Sequence, residues 1–192
     1  LTGWDAQTKL PTYPNNFSTD KIANTDSIIV KHAATRAGVI GTTDVATDAT
    51  SIVMESTASE AANSNVVISS ALGCDMFKSG AVSNTAIEKS IEGNTGSFSR
   101  AYAPPISKVL VFQSNQYYIK NGANNTPSLW RTSWKNGSAN TLELVEGIHD
   151  LQFEYGMGSG TGLDRAVTNA AFKKADDVPI GKWNDVVAVK IR

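Results

Sequence analysis

Cysteine is almost missing from this sequence. Cys74 is the one thiol in 192 residues, so neither an internal disulfide nor a cysteine-based zinc site can form. Histidine is nearly as scarce, with only His32 and His149. A catalytic cysteine needs a base beside it, and two histidines far from Cys74 in sequence offer little. Cys74, followed by Asp75-Met76-Phe77, therefore reads as a small buried apolar residue. No apolar run reaches the roughly 18–20 residues of a membrane helix, and no basic-then-apolar leader opens the chain. The chain starts at Leu1 without methionine, which we read as a mature product or an excised fragment. Charge is thin as well: 17 basic against 18 acidic residues, net −1. Without a basic excess, electrostatic binding of nucleic acid is not expected.

Uncharged polar residues fill the gap: 19 serines, 18 threonines, 15 asparagines and 15 glycines. Serine, threonine and asparagine compete for backbone hydrogen bonds, so this mixture favours strands, turns and loops over helices. The length suits one domain spanning residues 1–192, burying roughly 70% of the surface of its unfolded chain.

Residues 1–25 read as an irregular opening segment pinned by Trp4 and Tyr13. Ile28, Ile29 and Val30 mark a strand from Ser27 to His32, with His32 structural or at a solvent edge. Residues 33–65 read as a long excursion with one short element at Ile52-Val53-Met54. Val66-Val67-Ile68 is the next strand. Thr85 to Glu88 has capping-box spacing, Ile87 and Ile91 stand four apart, and Gly93 follows, so a short helix is expected over 85–92. Residues 93–105 are loop. Val109–Phe112 and Tyr117–Ile119 are strands on either side of Ser114-Asn115, and Asn121-Gly122 marks a turn. Leu129 to Trp134 places Trp130, Thr132 and Trp134 on one face, before a second turn at Asn136-Gly137. Thr141–Val145 is a strand. Leu151, Phe153 and Tyr155 alternate with Gln152 and Glu154, and Val187, Val189 and Ile191 alternate with Ala188 and Lys190. Together these predict an α+β, strand-dominated fold of antiparallel sheet, with long loops and one or two short helices.

Several chemistries can be tried and set aside. Gly156, Gly158, Gly160 and Gly162 follow a strand and precede a segment, Ala166–Lys174, with some helical character. Thr161 takes the place of the third glycine of a dinucleotide loop, and no Gly-Lys-Ser/Thr is present. Ser159 lacks the flanking glycines of a nucleophile elbow, because Met157 and Thr161 stand there. A calcium loop needs six or more oxygens, and Asp164 supplies the sole carboxylate of this stretch. Asp176-Asp177 and Glu143/Glu146 read as solvated acids rather than a glycosidase pair. Sequons at Asn16, Asn124 and Asn136 carry weight only in a eukaryotic source. Trp130 and Trp134 form a candidate interaction patch; with Trp4 and Trp183 they raise the alternative of a carbohydrate- or surface-binding β module. No catalytic residue, metal or cofactor is expected.

The C-terminal third reads Glu143-Leu-Val-Glu146-Gly147-Ile-His-Asp150-Leu151-Gln-Phe153-Glu-Tyr155-Gly156. It continues through a glycine-rich turn, Asp164-Arg165-Ala-Val, and closes on Trp183-Asn-Asp-Val-Val187-Ala-Val189-Lys-Ile191. This resembles the soluble domain of PilW-type minor pilins of bacterial type IV pili and, more distantly, the J-type minor pseudopilin of type II secretion. Thr25–Val30 looks like the first strand of that family, and Val66–Phe77 like its V-x-x-S-x-x-x-C-x-x-F stretch. The resemblance implies a pilin-like head without an enzymatic role. Glu146, Gly147, Asp150, Leu151, Phe153, Tyr155, Gly156, Asp164, Trp183, Val187 and Val189 would be scaffold. It implies other minor pilins and the major pilin as partners, and a tip adhesin among the candidates. The head would prime pilus assembly and sit near the tip, serving adhesion or twitching motility. It would lie in the periplasm at the inner membrane before assembly and in the extracellular pilus afterwards. Membrane contact would run only through an N-terminal apolar helix absent from this sequence. A type II secretion pseudopilin is the alternative within the same resemblance.

Overall fold

The computed structural model describes residues 2–4, 21–94, 96–135, 138–159, 165–167 and 171–192. These are 55% strand and 6% helical, and no helix reaches seven residues. The strands are β1 (Thr2–Trp4), β2 (Ser27–Arg36), β3 (Gly38–Ile40), β4 (Ser51–Thr57), β5 (Asn65–Ser70), β6 (Gly73–Ser83) and β7 (Ala86–Lys89). They continue with β8 (Lys108–Asn121), β9 (Pro127–Lys135), β10 (Ser138–Glu146), β11 (Phe153–Met157), β12 (Phe172–Lys173) and β13 (Val186–Ile191). The strand-dominated antiparallel class expected from composition is the class observed. The chain divides into two compact units. One holds Leu1–Lys31, Ser114–Trp134 and Ala139–Arg192; the other holds His32–Gln113 and Lys135–Ser138.

The His32–Gln113 unit runs β8-β5-β6-β7-β4-β3 across its sheet. Its core takes one face of each strand by the period-2 rule: Val66 and Ile68 from β5, Val109 and Val111 from β8, Ile52 and Met54 from β4. Fully burying an aliphatic side chain of this size contributes about 1.5–3 kcal/mol. Phe77, Phe98 and Tyr102 add an edge-to-face series, with centroids 5.5 and 6.2 Å apart. The Tyr102 hydroxyl donates to Asp75 Oδ2 at 2.7 Å, and the same oxygen accepts from the Ser99 N–H (2.8 Å) and hydroxyl (2.9 Å). Burial works against the Asp75 charge, but these bonds and nearby Arg100 outweigh it and hold the carboxyl below its usual range. Burial, then the Asp75 bond and charge, pushes the Tyr102 phenol up to about 12.

Three expectations fail in this unit. The helix over 85–92 is absent: residues 86–89 are β7, with Ile87 opposite Ile52 of β4 and Val82 of β6. Ile87 is fully buried and Ile91 fully exposed, so the i,i+4 pair never meets, and tertiary pairing overrides the cap-like spacing. Cys74 is exposed. Phe77 takes the core face of β6, and a residue three positions earlier must point the other way. The excursion over 33–65 contains the end of β2 and all of β3 and β4.

In the other unit β1, β2, β8, β9 and β10 lie side by side, and a three-stranded sheet runs β12-β11-β13. β8 is continuous through Ser114-Asn115, where two strands were expected. Asn115 pairs with Ser133 and Tyr118 with Trp130 of β9, so the polar residues stay in the ladder. A hydroxyl chain crosses three strands: Tyr118 to Thr132 Oγ1 at 3.1 Å, then Thr132 to Thr141 Oγ1 at 2.9 Å. β1 occupies part of the stretch expected to be irregular, while Tyr13 lies outside the described residues. Where a helical tendency was expected after Ala166, Phe172 and Lys173 form β12 against β11.

Candidate functional site

The site is built around β11. Asp26, at the threshold of β2, is buried; its N–H donates to Leu151 O and its Oδ2 accepts from the Phe153 N–H, both at 2.8 Å. These two bonds fix Leu151 and Phe153 beside Ile28. Asp150 Oδ1 accepts from the Leu151 N–H and from Gln152 Nε2, each at 2.8 Å, and Gln152 Nε2 also donates to Asn24 O at 3.0 Å. The motif's polar residues thus tie the start of β11 to the segment before β2. Gly147 has φ +85°, a left-handed turn that suits glycine, and its N–H bonds Pro127 O at 2.9 Å. Glu146 lies just before it, exposed, with Asn124 Nδ2 at 3.5 Å.

The alternation leading into and along β11 sends Leu151, Phe153 and Tyr155 into one core with Ile28, Ile119, Ala175 and Val178. Tyr155 is fully buried, and Trp183 meets its ring edge-on at 4.8 Å between centroids. Gly156 lies opposite Ala188, and a Cβ there would come within 2.8 Å of Val167. Only glycine lets β12 and β13 close on both sides of β11 at this point. Asp164 lies outside the described residues. On the far side of the glycine-rich turn, Arg165 and Lys182 reach Asp185 at 3.1 and 3.3 Å. Lys182, then Arg165, holds the Asp185 carboxyl below its usual range.

β13 departs from the expected packing. A register shift at Gly156/Met157 brings Val186 opposite Met157, leaving Val187 without a partner position. Val187 is 44% exposed and Ile191 64% exposed, while Val189 packs partly into the core. The exposure of Ile191 has a clear setting. Ile191, Val189, Phe153, Leu151, Ile28 and Leu129, with Val30 and Tyr117, line an open groove of about 550 Å³. Its walls are almost wholly hydrocarbon, with the Tyr117 hydroxyl the one side-chain polar atom among them. Such a surface suits packing against another apolar element. Leu129 and Tyr117 were not singled out from sequence, although alternation along β9 places Leu129 opposite in phase to the tryptophans.

The tryptophan patch is not part of this groove. Trp130 and Trp134 are half-buried on β9. Trp130 Nε1 donates to Lys120 O at 3.2 Å, and the Lys120 ammonium lies 5.2 Å from its ring centre. The acids Asp176 and Asp177 are exposed in a short 3-10 turn, Ala175–Asp177. Among the described residues no group of three or more His, Cys, Asp or Glu is placed to hold a metal ion. No helix among them is long and apolar enough to cross a membrane.

The stretch that supplies β9 to β13 and most of the groove also has a recognised family pattern. Residues 116–192 match the family model PilW, Type IV Pilus-assembly protein W. Over this stretch the chain is similar to that family. The match begins within β8 and runs to Arg192, taking in every motif residue from Glu146 to Val189. Residues 32–113 lie outside it. The PilW description connects the segment with type IV pilus assembly. No curated protein and no solved structure matches the chain.

Proposed function

We propose that the chain is the globular head of a minor pilin, one that joins other minor pilins and the major pilin to prime a type IV pilus and stays near its tip. The mechanism is association, with no bond made or broken. Such a head works in the periplasm during assembly and outside the cell afterwards. One observation carries this reading: the PilW match falls on the unit whose sheet leaves an apolar groove open. In an assembly of pilin subunits, that groove is a seat for an apolar helix.

The test uses surface variants at the groove mouth. Ile191 is well exposed, so Ile191→Glu should fold normally while placing a charge where an apolar partner would sit. In a bacterium lacking the native gene, the unaltered chain restored within its full-length gene product should bring back surface pili. The Ile191→Glu form should bring back few, and should lose co-purification with the other minor pilins. Normal piliation in the gene deletion, or full rescue by Ile191→Glu, would overturn the reading.

A further inference from the structure

The His32–Gln113 unit contains a fork in its sheet. At Ala37 the chain changes neighbours: its N–H bonds Val109 O of β8 at 2.9 Å, while its C=O accepts from Ala58 N at 2.8 Å, just past β4. One residue later Gly38 stands opposite Thr57 of β4. Gly38 has φ +138°, and a Cβ there would collide with the backbone of Ser56, so the swerve depends on glycine. Beyond the fork β3 is an edge strand, with β4 its one partner among the described strands. An edge strand turns alternate N–H and C=O groups away from its sheet.

An open groove of about 490 Å³ lies at this fork, lined by β3 and by the Pro104–Val109 stretch. Val39, Pro104 and Val109 give it apolar ground. Arg36 and Lys108 stand along it as exposed cations, with Glu55 the one acid. None of these three charges is in an ion pair among the described residues. Open backbone at an edge selects an extended chain, because a helix has already used its own N–H and C=O groups. Two unpaired cations against one acid select carboxylates over ammonium groups.

We propose that this fork takes up an extended, acidic peptide segment of a partner protein as an added strand beside β3. Backbone bonds to β3 supply the register. Alternate side chains of the segment rest on Val39 and Pro104, and the intervening carboxylates meet Arg36 and Lys108. The residues of this site all lie outside the PilW match, and the proposal stands independently of the pilus reading.

The probe is a fluorescein-labelled octapeptide alternating threonine with glutamate, with a threonine–lysine counterpart. Binding is followed by fluorescence anisotropy and by amide shifts in nitrogen-15 NMR spectra of the chain. The glutamate peptide should bind at least tenfold more tightly than the lysine one, weaken as salt rises, and shift the Gly38, Val39 and Ile40 amides. The double variant Arg36→Glu/Lys108→Glu, both positions being exposed, should keep the melting temperature and reverse the preference between the two peptides. Lack of saturation by millimolar glutamate peptide, equal binding of both peptides, or shifts confined to other strands would each overturn the proposal.

Discussion

In the His32–Gln113 unit Val66, Ile68, Ile87 and Tyr102 are completely covered. In the unit that holds Ala139–Arg192 the same in-and-out alternation along β11 and β13 ends differently. Tyr155 is covered, but Val189 keeps partial exposure and Ile191 is mostly bare along an apolar groove. Both units obey the same strand rules, so periodicity alone does not distinguish a fully covered face from one left partly open. The difference lies in what is available to cover each face. It is the face with the open apolar groove that coincides with the PilW match.

The comparison breaks first at the centres of the two cores. Tyr155→Ala should cost about 3–5 kcal/mol and Ile87→Ala about 2–5 kcal/mol in urea titrations. A loss below about 1 kcal/mol at Tyr155 would mean that the grooved unit has no fixed core of its own. Next comes the tie between β2 and β11. Asp26→Ala leaves the buried Phe153 N–H without its carboxylate and should cost about 2–3 kcal/mol, with faster hydrogen exchange at that amide.

A pH titration sharpens the contrast, since the Asp75–Tyr102 pair belongs to the His32–Gln113 unit. The Asp75 carboxyl is depressed in the folded chain, so its stabilisation is present above the ordinary value of 3.8 and is lost as pH falls through the lower folded value. The Tyr102 phenol is raised, so its contribution holds below 10 and disappears as pH climbs through about 12. Asp75→Asn should flatten the acid side of the stability curve, and an unchanged curve would refute the assignment. The smallest effect belongs to the surface of β11. Glu154 bridges Lys190 and Arg192 at 3.4 and 3.2 Å, yet Glu154→Gln should change stability by no more than about 1 kcal/mol, less at high salt.

Much of the grooved unit was readable from residue order. The alternation of Leu151, Phe153 and Tyr155 survives because β11 has its buried face imposed by a single core. Gly147 and Gly156 stand where a left-handed turn and a tight three-strand contact need them. Other features were hidden by their dependence on distant partners. The β7 strand exists because β4 and β6 flank it, and nothing local to Thr85–Ile91 reports that. The outward turn of Cys74 follows from Phe77 winning the core face. The exposure of Val187 follows from a register shift against Met157, which no period can announce. The fork at Ala37 is equally silent, since its one local sign is a glycine at position 38 among many others.

The row of hydroxyls from Tyr118 through Thr132 to Thr141 holds β8, β9 and β10 together without a carboxylate, ammonium or guanidinium member. A latch of that kind has no charged pair for dissolved electrolyte to screen. In dilute buffer and in molar salt alike, β10 should stay fastened equally well.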